Sequence, residues 1–212
     1  MLCKRIQALT LAVALVCWSV VVAPRLPSRW RVPLQAALAT GLVGGTRAPL
    51  GLQPAGLRAG LRTGFAAAGA VSAVVVASTA LPPVRAAMEA RDVPDSVGTW
   101  LLVRIPIGTV WSEEAAFRAA LGTVAARAFG PGWGRLVQAV AFGLSHVPDA
   151  RGAGDSAAGT VLVTGVAGWL FGWLHARSGS LAAPILAHLA SNEVGAAAAL
   201  AVKKAKRARR DG

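Results

Sequence analysis

Val110–Leu121 reads VWSEEAAFRAAL, and it places Glu113, Glu114 and Arg118 inside an otherwise apolar run. The run itself decides the fold class. Of the 212 residues, 55% are hydrophobic and 15% charged, with a mean hydropathy of +0.55. A soluble domain of this size carries roughly 25% charged residues. Apolar segments recur near 6–24, 33–51, 63–82, 98–124, 134–148, 157–176 and 180–202. Several approach the roughly 20 apolar residues that span a bilayer. Lipid offers no partner for backbone N–H and C=O groups, so each span must be helical. The expectation is an all-α, polytopic transmembrane helix bundle of about seven spans (six to eight), forming one membrane domain over 1–212.

The connections between segments are distinct. APRLPSRWRVP (23–33) holds three prolines and three arginines, and QPAGLRAGLRTG (53–64) is a basic linker. LPPVRAAMEARDVPDSVGTW (81–100) carries most of the acidic loop residues. FGPGWG (129–134) reads as a tight turn, and VPDARGAGDSA (147–157) and ARSGS (176–180) as short connections. The weakest segment is 33–51, which Arg47 interrupts.

A net charge of +13 raises nucleic-acid binding as a possibility, but its distribution argues against it. Basic residues lie mostly between apolar segments or in the tail KKAKRARR, Lys203–Arg210. Membrane topology accounts for that pattern, because basic residues stay cytoplasmic. The 203–212 tail is therefore expected in the cytoplasm, against anionic lipid. Counting back puts 23–33 and 81–100 inside and the N-terminus outside, which sets Lys4 and Arg5 against the rule. The first segment resembles a signal peptide but lacks a small-x-small cleavage site, so an uncleaved first span is expected. Arg outnumbers Lys 18 to 4, and Ala and Gly abound, which fits a GC-rich bacterial genome and a cell-membrane location. Cys3 and Cys17 build neither a disulfide framework nor a metal cluster. Gly165, Gly168 and Gly172 permit close helix approach, either within one subunit or at a dimer face; no residue pattern names an oligomeric state. Trp30, Trp100, Trp133 and Trp169 suit the interfacial belts.

Charges at the centre of a span cost about 2.5–3.5 kcal/mol each on insertion scales, so they need partners or water. Glu114 and Arg118 stand i, i+4 and pair along one helix face. Glu113 points about 100° away and stays available. Candidates to meet it are His146 in FGLSH, and His188 with Asn192 one turn later in HLASN. His175, at a helix end, reads as an interfacial cap. Glu193 reads as an interfacial or supporting acid, Arg104 as a pairing or snorkelling cation, and Phe117 and Phe142 as packing residues.

EEAAFR, FGLSH and HLASN match the motifs EExxxR, FxxxH and HxxxN in order and spacing. Through them, residues 105–195, the expected catalytic core, resemble the CPBP family of CAAX prenyl proteases and bacteriocin-processing enzymes. Ala119 stands where that family often has Gly, and Glu193 after Asn192 is unusual. The resemblance implies an intramembrane endopeptidase acting on a peptide or membrane-protein substrate. It implies Glu113 as general base with His146 holding the water, His188 and Asn192 stabilising the oxyanion, and Arg118 orienting Glu114. A metal-free reaction is favoured and no cofactor is expected. Zinc stays open, with Glu113, His146 and His188 as its ligand set. Two other classes compete: a catalytically silent membrane adaptor of the same fold, and a small proton-coupled transporter. The adaptor has no need of all four catalytic groups. The transporter calls for an internal repeat, which the sequence lacks.

Overall fold

The computed structural model describes residues 1–211, with side chains through Arg209. The end of the tail, Gly212, lies outside the described residues, as do the side chains of Arg210 and Asp211. The chain forms α1 (Leu2–Arg25), α2 (Ser28–Thr46), α3 (Pro54–Ser78), α4 (Pro82–Ala90), α5 (97–129), α6 (Pro131–Ser145), α7 (Val147–Ala153), α8 (Ala157–Ser178) and α9 (Ala182–Asp211). No strand occurs among the described residues. Each expected apolar segment lies largely in a helix, and the all-α bundle is as anticipated.

Four helices are long and apolar enough to cross a membrane, against the seven expected: α1, α3, α8 and the 182–209 part of α9. The remaining three fall short for visible reasons. Arg29 and Arg31 stand in the first turn of α2. Helix α5 carries Arg104, Glu113, Glu114 and Arg118. The 15 residues of α6 rise only about 22 Å at 1.5 Å each, short of a hydrocarbon core of about 30 Å.

Helix α5 runs through the middle of the bundle, where Ala115, Ala119, Ala120, Leu121 and Ala125 are wholly buried. α1, α2 and α6 wrap it through Ala8, Ala12, Leu15, Ala39 and Phe142. Glycine brings the outer helices close. A Cβ at Gly64 of α3 would stand 2.8 Å from Leu186 Cδ1, and one at Gly168 of α8 would stand 2.7 Å from Phe142 Cδ1. A Cβ at Gly172 would stand 2.7 Å from Gln138 Oε1. The Gly168/Gly172 pair is thus spent inside the subunit, on α6. Gly168→Val is expected to cost about 1–3 kcal/mol through overpacking; thermal unfolding in detergent checks it, and an unchanged midpoint would refute the close packing.

The helix connections gather at two ends. At one, Arg5 lies over the Phe129 ring (5.8 Å), Arg127 Nη1 donates to the Thr46 carbonyl (3.2 Å), and Leu181 N–H donates to the Leu50 carbonyl (2.9 Å). Gly51 makes this possible: its φ is +62°, and a Cβ there would meet the Gly179 carbonyl oxygen. At the other end Lys206 Nζ donates to Glu89 Oε2 (2.6 Å), tying the tail to α4. That bond lowers the Glu89 pKa from its ordinary value. The tie therefore contributes at and above the usual carboxylate range and is lost as pH falls through the lowered value. α1 begins at the first end and α9 finishes at the second.

Candidate active site

The site is built around a widened stretch of α5. Residues Trp100–Trp111 and Glu114–Leu121 are wound as π-helix, with i→i+5 hydrogen bonding. Pro106 lies inside this stretch and brings no N–H to the ladder. Ser112 closes the wide turn by donating through Oγ to the Ile107 carbonyl (2.8 Å). The two carboxylates that follow part company. Glu114 turns wholly inward, while the Glu113 side chain keeps 26% exposure.

Glu114 meets Arg118 as the spacing predicts, with Arg118 Nε 3.2 Å from Oε2 and both side chains inaccessible to solvent. By distance this is an ion pair, yet Arg118 Nε, Nη1 and Nη2 lack an aligned hydrogen-bond partner. Aromatic faces hold the guanidinium instead: its Cζ lies 3.8 Å from the Phe142 centroid and 5.1 Å from that of Phe171. Phe142, expected only to pack, does this as well.

Glu114 also has a partner the sequence did not disclose. Its Oε1 lies 2.7 Å from His188 Nδ1. A carboxylate only accepts, so Nδ1 donates and the neutral ring leaves Nε2 as an acceptor. His146 is fixed likewise: its Nδ1 lies 2.8 Å from the Phe142 carbonyl oxygen, and Ser145 Oγ lies 3.2 Å from it. Both Nε2 atoms converge on Glu113. His146 Nε2 is 3.9 Å and His188 Nε2 3.8 Å from Oε2, which has no direct hydrogen-bond partner. Asn192 donates through Nδ2 to the His188 carbonyl (3.2 Å).

Glu113, His146, His188 and Asn192 all line one cavity of about 540 Å³. Its wall includes Trp18 and Pro24 of α1, Arg31 and Gln35 of α2, and Asp149 of α7. It therefore opens toward the end of the bundle that carries the tail. Zinc in a tetrahedral site holds its ligand atoms at about 2.0–2.2 Å, hence about 3.3 Å from one another. The Glu113–histidine distances exceed this, and among the described residues no three His, Cys, Asp or Glu side chains are placed to hold a metal ion.

The remaining sequence candidates stay apart. His175 is half-buried and lines a second cavity of about 280 Å³ with Pro49, Arg135 and Gln138, so it is an inward-facing group and not only an interfacial cap. Arg104 is exposed and forms no ion pair among the described residues, and Glu193 is half-buried away from the cavity lining. Sequence reasoning missed Ser145 and Phe171. Ser145 adjoins His146, which was a usable signal. Phe171 lies between glycines on a helix apolar all round, where periodicity names no inner face.

No curated protein and no solved structure matches the chain. Residues 95–194 match the family model described as type II CAAX prenyl endopeptidase Rce1-like. The match begins just before α5 and ends two residues past Asn192, so the segment similar to that family takes in Glu113, His146, His188 and Asn192.

Proposed function

We propose that the chain is an intramembrane endopeptidase in which Glu113 activates water against a peptide carbonyl. The observation that carries this reading is the convergence of Glu113 Oε2 with both histidine Nε2 atoms at 3.8–3.9 Å, inside the cavity. Separations of that length suit a bridging water. His146 Nε2 accepts one of its hydrogens and Glu113 removes the other. The hydroxide adds to the carbonyl carbon, giving a tetrahedral oxyanion. Asn192 has a second Nδ2 hydrogen for that oxygen. His188 donates from Nε2 only when doubly protonated, because its Nδ1 hydrogen is committed to Glu114. Glu113 then returns its proton to the departing amine. Glu114 and Arg118 support the site by holding His188.

In this reading Asn192 acts mainly in the transition state. Asn192→Ala is expected to lower kcat by roughly 10²–10³ and leave KM little changed. A variant that keeps kcat and raises KM would move Asn192 to substrate binding. Metal analysis of the wild type and of His188→Ala belongs to the same experiment. Stoichiometric zinc lost in His188→Ala would replace the oxyanion role of His188 with a ligand role.

The substrate in this reading is a peptide or membrane-protein segment presented at the tail end of the bundle, prenylated or not. Comparing the membrane proteomes of a deletion strain and a Glu113→Gln strain would reveal uncut peptides. The basic tail supports a cytoplasmic placement of that end. A reporter active only outside the cytoplasm, fused after Gly212, is expected to stay silent; a strong signal would reverse the orientation.

A further inference from the structure

We propose that Phe171 is a positioning residue for the site, its ring holding the His188 imidazole in the plane that directs Nδ1 to Glu114 and Nε2 to Glu113. This rests on the proteolytic reading above. Phe171 comes from α8, which supplies none of the motif residues. Its ring stacks on His188, with centroids 5.0 Å apart and planes 22° from parallel. The same ring takes the Arg118 guanidinium at 5.1 Å. It is buried among Leu174, Ala183 and Ala187, and the last two bring α9 to it with minimal side chains.

The need for such a residue follows from what His188 otherwise has. One hydrogen bond, from Nδ1 to Glu114, fixes a point and leaves the ring free to swing about it. Phe142 approaches edge-on, at 6.3 Å and 88°, and sets no plane. A stacked face sets one, and a stacked aromatic pair contributes beyond its buried area. The glycines of α8 make the reach possible, because a Cβ at Gly168 or Gly172 would strike Phe142 or Gln138 and lift α8 away.

The test compares Phe171→Leu, which keeps apolar bulk without a ring face, with Phe171→Tyr, which keeps the face. Phe171→Leu is expected to lower kcat about 10–10²-fold at nearly constant KM, since small misplacements of reacting groups have effects of that order. Phe171→Tyr is expected to retain most of the rate. A second measurement needs no activity. The protein has three histidines, so ¹⁵N-histidine NMR in detergent resolves His188, assigned by its loss in His188→Gln. Phe171→Leu is expected to speed exchange of the Nδ1 proton of His188, and Phe171→Tyr to keep it slow. Slow exchange in Phe171→Leu, or equal loss of kcat in both variants, would overturn the proposal. If Glu113→Gln keeps its turnover while Phe171→Leu speeds that exchange, the role of Glu113 as base falls and the positioning of His188 by Phe171 stands. If the wild type cleaves no peptide, the proteolytic reading falls while the exchange result still decides the positioning.

Discussion

Glu113→Gln is expected to abolish peptide cleavage and to leave the folded protein in normal yield. The substitution keeps the side chain's size and its half-exposed place in the cavity, where Oε2 has no direct partner to lose. It removes the base. General-base catalysis contributes about 10²–10⁴-fold, so turnover should fall by at least that range. Yield in detergent and turnover of a cleavable peptide are the two measurements. Wild-type turnover in Glu113→Gln would sink the assignment of Glu113 as the base, whatever the other variants do.

The neighbouring glutamate is expected to behave in the opposite way. Glu114→Gln leaves Arg118 as a buried cation on two aromatic rings without its paired carboxylate. Removing one partner of a buried pair costs about 3–5 kcal/mol. For a chain of this length that is a fall of roughly 6–20 °C in Tm. The paired change Glu114→Leu with Arg118→Met is the sharper test. Replacing both charges by apolar groups is often neutral, so the double variant should recover most of the stability. It should stay inactive, because His188 Nδ1 has lost its acceptor. An active double variant would show that the Glu114–His188 bond has no positioning role, and a fully stable Glu114→Gln would show that the Arg118 charge is not confined.

The contrast between the two glutamates was legible in sequence because helical spacing is local information. Residues i and i+4 share a face in π-wound and α-wound turns alike, at least roughly, so the Glu114–Arg118 pair followed from VWSEEAAFRAAL. Composition carried the all-α fold for a similar reason: in lipid the backbone has few choices. What stayed hidden involves contacts between separate helices. The His188 bond to Glu114 spans 74 residues. Phe171 lies on an all-round apolar helix, so no moment singles out its inward face. His175 sits at a helix end, and sequence does not show whether such an end turns toward lipid or toward a cavity. Four of the seven expected spans are long and apolar enough to cross a membrane; of the others, α2 and α5 carry charges and α6 is short.

The wide winding of α5 has a genetic corollary. Glu113 faces the cavity only because the turns between Pro106 and Ser112 deliver it there in phase. Losing one residue from that stretch swings both carboxylates by about a quarter turn, from histidines toward helix walls. Substitutions in 107–111 are thus open to variation wherever packing permits, whereas single-codon deletions and insertions are not. The reading frame of the gene can survive such an event, but the rotational frame of the helix does not.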